Sequence, residues 1–442
     1  MYNTTDASAL RAASDRDADD ALYRKVSLRI IPFLFVAYVV AFLDRINVGF
    51  AQLQLKQDLG FTDAMYGLGA AVFYIGYVLF EVPSNLLLAK YGARKTFVRI
   101  MILWGLASVG MMFIQTPTHF YILRFLLGVF EAGFFPGIVL YLTYWYPPLR
   151  RASVLAYFFA GVAVAGILGG LVSGWIMRDM AGIWGLAGWQ WMFAIEGSPA
   201  LLLAVIAYFY LKDSPAQAHW LSSAEKARLT ANLESGGGQA HGSAGKSLAA
   251  TLRDPRIYLY SIPYFAVTGA ALTLSFWMPL IIRDFGVTDV LKVSLYSVIP
   301  YTVGAIGVIV VARAADRSGR HARYFAACVI SAAVALAVMT THPSSLAVSL
   351  ALLSVAAVGL YAGLPIFWAI PTANLPQESR AAGIGVISSL GTSAGIVAPW
   401  VIGQVRTATG SMDAALLGIG VILAASAAVL LATKGSAGKG AA

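Results

Sequence analysis

Four charged residues lie inside long apolar segments: Asp44 and Arg45 in one, and Arg124 and Glu131 in another. If these segments cross a membrane, each charge costs at least about 2.5–3.5 kcal/mol at mid-bilayer, so each is expected in an ion pair or on a transport pathway. Arg124 and Glu131 are seven residues apart, which places them on one face of a helix. Two acids and two bases cancel in charge, and their burial together is therefore tolerable.

The chemistry open to such a cluster is anion binding by a guanidinium and proton exchange by the carboxylates. Asp44 lies about 24 Å along its helix from residue 28, and Arg124 lies near the outer end of its own, so all four groups can meet. The alternative is a structural ion-pair cluster that locks the two helices together. The second half of the sequence has no equivalent charges in its apolar segments, and structural locking gives no reason for that asymmetry.

The composition excludes an ordinary cytosolic enzyme. Of 442 residues, 59% are hydrophobic and 12% are charged, with a mean hydropathy of +0.74, whereas a soluble domain carries roughly 25% charged residues. The net charge of +10 comes from basic residues at the edges of apolar runs, which indicates membrane topology and not nucleic-acid binding. The single cysteine, Cys328, excludes a disulfide framework, and we expect no metal site. The sequence predicts a polytopic membrane protein.

Apolar stretches of about 20 residues, the length that crosses a bilayer, recur along the chain. They lack strict alternation and are predicted to be helices. A long polar insertion at 212–255 divides them into two blocks of six, the pattern of a duplicated transporter. We predict an all-α fold of two six-helix bundles, at 28–211 and 256–433, joined by the cytoplasmic linker 212–255 and flanked by cytoplasmic tails at 1–27 and 434–442. The twelve predicted spans are 28–50, 63–89, 96–115, 119–145, 151–177, 189–211, 256–282, 291–312, 323–341, 345–371, 379–405 and 411–433.

Positive charge predicts the orientation, because loops rich in lysine and arginine stay in the cytoplasm. With these spans, 24 of the 31 basic residues fall on the side of the two termini and 5 on the other. Both termini are therefore expected in the cytoplasm. The first 27 residues lack the apolar core and cleavage site of a secretory signal.

One motif is typical of an enzyme, and two further acidic residues lie in or near the apolar segments. Gly391-Thr392-Ser393-Ala394-Gly395 matches the nucleophile elbow of hydrolases, which leaves an intramembrane hydrolase centred on Ser393 as an alternative. That motif needs a nearby histidine and an oxyanion hole, and here it lies inside a predicted span with no histidine at its depth. Glu81 is expected at an inner gate, in a structural pair or as a neutral carboxyl, and Glu196 is expected to be structural.

Several motifs, taken together, closely resemble the major facilitator superfamily and, within it, the anion:cation symporter family. The superfamily's signature loop stands as Asp316-Arg317-Ser318-Gly319-Arg320, and its first-half counterpart includes Lys90, Gly92 and Arg94, with Ala89 where an aspartate is usual. More specific are LDRINVGF at 43–50, EVPSNL at 81–86, RFLLG at 124–128, EAGFFPG at 131–137, FWMP at 276–279 and FWAIPT at 367–372. Tartrate- and phthalate-type permeases look most similar.

The resemblance implies proton-coupled uptake of a small organic anion across a bacterial inner membrane. It implies that Asp44 and Glu131 carry protons, that Arg45 and Arg124 are their partner arginines, and that Arg45 binds the substrate carboxylate. Tyr77 matches a tyrosine that contacts sugar-acid substrates in relatives. Span 11 departs from the pattern, because Ser388 and Thr392 stand where the family often has asparagine, so a sugar-acid substrate cannot simply be carried over.

The sequence thus predicts a monomeric symporter that works by alternating access, with its site between the two halves. We expect no cofactor other than protons as the coupling ion. An exchanger or exporter of the same fold without net proton flow is the alternative, and a non-transporting sensor is a further one. The rest of the cavity is expected to be shaped by Trp277, Trp368, Thr372, Ser388 and Thr392, with bundle packing the alternative for the two tryptophans.

Overall fold

The computed structural model describes residues 4–235, 252–375 and 377–437, and the described residues form helices with no strand among them. Twelve segments are long and apolar enough to cross a membrane, which confirms the predicted all-helical polytopic fold. The spans, in order, are Thr4–Asp58, Asp63–Tyr91, Ala93–Gly110, Pro117–Glu131 with Phe134–Thr143, Pro148–Asp179, Gly188–Tyr210, Pro255–Asp284, Val290–Ser318, His321–Met339, Leu346–Asn374, Gln377–Thr392 with Ala394–Thr409, and Asp413–Ala437.

Span 1 is much longer than the predicted 28–50, because its polar approach continues the same helix back to Thr4. This extension packs against a linker helix, Ser223–Ser235. Lys25 donates a hydrogen bond to Glu225 at 2.8 Å, and Asp19 accepts one from Asn232 at 3.0 Å. The tail and the first part of the linker therefore support each other, while residues 236–251 of the predicted linker lie outside the described residues.

Span 4 is two helices where the sequence predicted one helix over 119–145. The break follows Glu131 directly, at Ala132 and Gly133. Gly133 has φ 81°, in the left-handed region, and a methyl group there would lie 2.5 Å from the side chain of Ser84. Pro136 lies in the first turn of the second helix, where its missing N–H costs no helical hydrogen bond.

Helix packing repeats between the halves. Spans 3 and 6, 2 and 4, and 1 and 5 pack together in the first half, and spans 9 and 12, 8 and 10, and 7 and 11 do so in the second. Each pair of the second half is a pair of the first with six added to both numbers. Contacts between the halves join spans 2 and 11, 5 and 8, and 1 and 7. The backbone is thus a two-fold repeat with a central interface.

The halves meet at one end of the bundle, here named the closed end, which carries the turns 59–62 and 285–289. Glycines permit backbones to approach closely there: a methyl group at Gly170 would lie 2.7 Å from the carbonyl oxygen of Ser294, and one at Gly67 would overlap the carbonyl oxygen of Pro399. Tyr66 donates a hydrogen bond to the carbonyl of Phe276 at 2.9 Å. The opposite end carries the two loops at 90–95 and 316–320.

Candidate functional site

Arg45 and Glu131 form the ion pair at the centre of the site. The Nε of Arg45 donates to Oε1 of Glu131 at 2.6 Å. The Glu131 side chain is fully buried and that of Arg45 is 13% exposed, so of the two partners only Arg45 reaches the surface. Oε2 of Glu131 has no hydrogen-bond partner among the described residues. The pair therefore consists of a buried carboxylate and a partly exposed arginine, and an anion can approach the arginine.

Arg124 lies behind this pair and is completely buried. Its guanidinium carbon is 4.8 Å from the ring centre of Phe73, and that of Arg45 is 5.6 Å from the same ring. Such cation–π contacts stabilise a desolvated guanidinium. The two terminal nitrogens of Arg124 have no hydrogen-bond partner in the described part of the chain. Arg124 therefore contributes positive electrostatic potential to the site. In this conformation its N–H groups are not accessible as hydrogen-bond donors.

Asp44 departs from the expectation that the four charges meet. Its carboxylate accepts hydrogen bonds from Trp104 Nε1 at 2.7 Å and from Ser108 Oγ at 2.8 Å. Successive residues on a helix point about 100° apart, so Asp44 faces span 3 while its neighbour Arg45 faces the site. The described structure pairs Asp44 with neither arginine, and its role in proton coupling stays a prediction.

Two other membrane carboxylates lie near the cluster. Glu196 is buried, and its Oε1 accepts a hydrogen bond from Ser173 at 2.7 Å. This local bond to span 5 is compatible with the structural role predicted for Glu196. Glu81 is half-buried and interacts electrostatically with Arg45, on the side of the site that leads away from the closed end.

Aromatic side chains of the first half surround the guanidinium of Arg45. Tyr77, which the sequence singled out, has its ring centre 4.8 Å from that guanidinium. Phe42 lies at 5.9 Å, Tyr38 packs against Phe42 with ring centres 6.3 Å apart, and Tyr74 packs edge-on against Phe73 at 5.1 Å. Sequence reasoning missed Phe42, Tyr38 and Tyr74. The helical spacing of Tyr74 and Tyr77 on span 2, and of Tyr38 and Phe42 before Arg45, is the signal that could have found them.

At this site, the described part of the second half contributes aromatic rings and no charged side chain. Trp368, predicted at the site, packs edge-on against Tyr264 with ring centres 4.7 Å apart. Tyr264 also stacks on Phe367 at 5.1 Å. One helical turn from Gly391, a methyl group at Gly395 would lie 2.5 Å from the Tyr74 ring of the first half, so this aromatic group lies near the interface. Gly391 makes room for it, because a methyl group there would overlap the Tyr264 ring.

The predicted hydroxyl residues of the second half bond mainly to their own helices. Thr372 Oγ1 donates to the carbonyl of Trp368 at 2.6 Å, and Thr392 Oγ1 donates to the carbonyl of Ser388 at 2.9 Å. Ser393 Oγ likewise donates to the carbonyl of Leu390 at 2.6 Å. These hydroxyls can still accept a hydrogen bond, but their protons are already used.

Trp277 lies away from the Arg45 pair, toward the closed end. It is fully buried, and its ring is edge-on to Tyr66 with centres 5.0 Å apart. Its indole N–H has no partner among the described residues. This position fits the bundle-packing alternative more closely than a place beside the anion.

Comparison with known proteins identifies the family. The model described as "Major Facilitator Superfamily" matches residues 34–399. The chain belongs to the major facilitator superfamily. It is 43% identical over 417 residues to a protein of Agrobacterium vitis named "Putative tartrate transporter", covering 94% of this chain and 95% of that one. It is 39% identical over 415 residues to the "Putative metabolite transport protein NicT" of Pseudomonas putida, covering 93% and 94% of the two chains.

The fold agrees with this membership. The solved structure of a bacterial homolog of the human lysosomal transporter Spinster, inward-facing and occupied, superposes with a TM-score of 0.74 at 18% identity, covering 92% of this chain and 96% of that one. Members of the superfamily are transporters and not enzymes, so the hydrolase alternative at Ser393 is excluded. The chain is a multi-pass membrane transporter.

The two signature loops of the superfamily differ in this chain. In the first, Gly92 has φ 89°, and a methyl group there would lie 2.8 Å from the carboxylate of Asp213. Asp213 accepts a hydrogen bond from the backbone N–H of Arg94 at 2.8 Å. Asp213, which follows span 6, thus supplies a carboxylate to a loop that has Ala89 where an aspartate is usual. The Lys90 side chain lies 5.3 Å from the ring centre of Tyr91.

In the second loop the aspartate is present but bonds locally. Asp316 Oδ1 lies 3.0 Å from Nε2 of His321, and Gly319, with φ 64°, ends span 8. Arg317 and Arg320 are exposed. The described part of either loop forms no ion pair with the opposite half, and their gating role stays a prediction.

The closed end holds an ion-pair network that sequence reasoning missed. Arg406 of span 11 binds both carboxylate oxygens of Asp284 at 2.7 and 3.0 Å, and its Nε donates to Asp63 of span 2 at 3.2 Å. Lys56 also pairs with Asp63 at 2.9 Å. In the sequence, Arg406 is one of the five basic residues on the side opposite the termini; in the structure it joins the two halves.

Proposed function

We propose that the chain is a proton-coupled symporter that imports a small organic anion carrying a carboxylate. The observation that carries this proposal is the Arg45–Glu131 pair, in which one guanidinium is shared between a buried carboxylate and the accessible surface. An anionic substrate and Glu131 compete for the same arginine. A planar guanidinium suits a carboxylate because it can donate two parallel hydrogen bonds.

Coupling follows from this competition. While Glu131 is ionised, its charge balances Arg45, and the Nε of Arg45 is occupied at 2.6 Å. A proton on Glu131 removes that charge and frees the guanidinium to take the substrate carboxylate. Loss of the proton restores the internal pair and displaces the anion. Asp44 is a second candidate proton carrier; it lies on the other face of span 1 and accepts hydrogen bonds from Trp104 and Ser108.

Alternating access is supported by the geometry of the interface. The two halves repeat the same helix packing and touch at the closed end, so a rocking motion can close one end while it opens the other. With both termini in the cytoplasm, as the basic residues favour, the closed end faces outward and this conformation is inward-open. We propose a monomer in a bacterial inner membrane.

Two experiments test this function. Purified chain in proteoliposomes should accumulate a radiolabelled carboxylate when the lumen is more alkaline than the outside, and a protonophore should abolish the accumulation. Uptake that does not depend on the pH gradient would instead support an exchanger or exporter.

The orientation of the chain has its own test. Single cysteines at Ser235 and Thr118 in a Cys328→Ser background should react from opposite faces of the membrane; reaction from one face would overturn the topology.

A further inference from the structure

A further carboxyl group is buried in the first half, apart from the Arg45–Glu131 pair. Glu196 lies about 12 Å along span 6 from the start of the helix at Gly188, and it is 2% exposed. Ser173 of span 5 donates a hydrogen bond to its Oε1 at 2.7 Å. The other oxygen, Oε2, is buried and has no partner among the described residues.

Spans 1, 5 and 6 meet around this carboxyl group. Gln54 of span 1 donates to the carbonyl of Met177 in span 5 at 3.1 Å and accepts from the backbone N–H of Trp189 in span 6 at 2.9 Å. Residues four or seven apart share a helix face. On these same faces, one or two turns deeper in the bundle, lie Asn47, Ser173 and Glu196. The Asn47 side chain therefore faces the hydrogen bond between the other two.

Two unpartnered acceptor atoms lie in this place. Asn47 is completely buried, and its Nδ2 donates to Oδ1 of Asp44 at 3.3 Å, while its own Oδ1 has no partner among the described residues. The second acceptor is Oε2 of Glu196. Buried acceptors without a donor are costly. A proton on Oε2 would make this atom the donor that Oδ1 of Asn47 lacks.

The surroundings of Asp44 explain why the proton belongs on Glu196. Three donors bind the two oxygens of Asp44, at 2.7, 2.8 and 3.3 Å: Trp104, Ser108 and Asn47. Donors of this kind favour an ionised carboxylate, and Glu196 has fewer of them. The Ser108 hydroxyl also lies against span 6, because a methyl group at Gly197 would be 2.7 Å from its Oγ. An ionised Asp44 in this cluster opposes a second negative charge on Glu196.

In the described part of the chain, no cation compensates the two carboxyl groups. Span 6 packs against spans 1, 3 and 5, so the basic residues of these spans are the ones to consider. Arg45 pairs with Glu131 on another face of span 1. Lys56 and Arg178 lie at the closed end, where each has its own carboxylate partner. The basic residues of span 3 lie in its first two turns, at the opposite end.

We propose that Glu196 holds a proton on Oε2, directed at Oδ1 of Asn47, and is a further proton-carrying residue of the first half. This role goes beyond the structural one predicted from the sequence, and the transport of this proton rests on the proposed function. Asp44 and Glu196 act as a pair that shares one proton, because ionisation of either carboxyl disfavours ionisation of the other.

Infrared spectroscopy of the purified full chain at pH 7 tests the site, because a protonated carboxyl and an ionised carboxylate absorb in separate regions. Glu196→Gln keeps the size of the side chain and should lose a protonated-carboxyl band of the wild type. Glu225→Gln is the matched control, since Glu225 pairs with Lys25 outside the membrane; it should keep that band and lose carboxylate absorption. A protonated-carboxyl band that persists undiminished in Glu196→Gln would overturn the site.

Ser173→Ala gives a test that keeps the carboxyl group. Loss of the hydrogen bond to Oε1 of Glu196 should shift the same band to higher wavenumber, because a carbonyl without a donor has a stiffer C=O bond. Ser198→Ala removes a hydroxyl that bonds to its own helix in span 6 and should leave the band in place. An unshifted band in Ser173→Ala would mean that the protonated carboxyl is not Glu196.

Proton uptake per carboxylate in proteoliposomes tests whether this proton is transported. We expect Glu196→Gln to take up one proton fewer per carboxylate than the wild type. An equal ratio in the two proteins would overturn the carrier role of Glu196. Carboxylate uptake without protons by the wild type would overturn the proposed function and this carrier role together, whereas the infrared bands decide the proton site itself.

Discussion

Spans 4 and 10 occupy the same place in the two halves, yet they are built differently. Span 4 breaks directly after Glu131 at a left-handed glycine, whereas span 10 runs as one helix, Leu346–Asn374, despite Pro365 and Pro371 inside it. Both pack against the matching neighbour of their half. The two halves share the same helix packing but contribute different side chains to the site. The first half contributes the charged side chains, and the second contributes aromatic rings and hydroxyls that bond to their own helices.

This division shows what a duplicated transporter needs from each half. Ion pairing between Arg45 and Glu131 is complete within the first half, so a proton and an anion can be exchanged there without a rearrangement of the second. In the proposed mechanism, the second half shapes the cavity and moves relative to the first. Charges from both halves meet instead at the closed end, through Asp63, Asp284 and Arg406.

The largest effect is expected where the halves share charges. Arg406→Gln removes charge-assisted bonds to two carboxylates, each worth about 1.5–3 kcal/mol, and leaves Asp63 with Lys56. We expect the closed end to lose about 2–3 kcal/mol, since Asp284 is partly exposed and regains water. A cysteine at Ala64 in a Cys328→Ser background should then be alkylated at least about tenfold faster. Arg178→Gln, which breaks an ion pair within one half, is the control; equal rates in the two variants would mean that the network does not hold the halves together.

The next effect concerns the break in span 4. Gly133→Ala places a side chain on a backbone with φ 81°, which costs about 1–2 kcal/mol, and pushes it against Ser84. We expect a clear fall in the melting temperature of the purified chain. Gly385→Ala is the control, because a methyl group there meets nothing within 4 Å on a helical backbone. A melting temperature of Gly133→Ala equal to that of Gly385→Ala would show that the break is not required.

A third effect concerns Arg45, the arginine proposed to bind the anion. Arg45→Lys keeps the charge but loses the planar pair of donors, so binding of a carboxylate should fall at least about tenfold, or about 1.4 kcal/mol. Arg313→Lys, at an exposed position of span 8, should leave binding unchanged. Titration of both variants with the same carboxylate measures this difference. Near-normal binding by Arg45→Lys would reduce Arg45 to a structural counter-charge.

The smallest effect concerns the exposed pair that joins the tail to the linker. The hydrogen bond from Lys25 lowers the pKa of Glu225 in the folded chain. The pair therefore stabilises the fold at pH values above the pKa of about 4.3 that a glutamate has in the unfolded chain. This stabilisation is lost as the pH falls through the lower pKa that Glu225 has in the folded chain. Lys25→Ala should lower the melting temperature slightly at pH 7, as expected for about 0.2–1 kcal/mol, and not at pH 3. Lys226→Ala, which removes a bond to a backbone carbonyl, should show the same difference at both pH values. A Lys25→Ala effect that persists unchanged at pH 3 would contradict the ionic origin.

Much of the architecture could be predicted from hydropathy alone, because a span needs only length and apolar side chains. The twelve spans appear in the predicted order, with boundaries that differ most at span 1, where a polar helix continues past the membrane. The break after Glu131 was not predicted. Its residues, Gly133 to Gly137, are apolar, and hydropathy does not report backbone angles.

The candidate residues that could be predicted from the sequence are those whose own charge marks them. Those whose place depends on how the helices pack could not be predicted. A charged residue in an apolar segment is visible in the sequence, and Arg45, Arg124, Asp44 and Glu131 were selected as candidates for this reason. Which of them pair could not be predicted, because helix rotation decides that Asp44 faces Trp104. Tyr264 carries no such signal: its place beside Trp368 and Gly391, both more than 100 residues later in the chain, is set by how spans 7, 10 and 11 pack.

The central claim, that Glu131 couples a proton to anion binding by Arg45, is tested most directly by Glu131→Gln in proteoliposomes. Glutamine keeps the size of the side chain and mimics the protonated state, but it cannot release a proton. We predict that this variant loses accumulation driven by a pH gradient and still exchanges labelled for unlabelled carboxylate, since the loaded carrier can reorient without moving a proton. Accumulation against a concentration gradient as strong as that of the wild type would contradict the account and leave the Arg45–Glu131 pair as a structural contact.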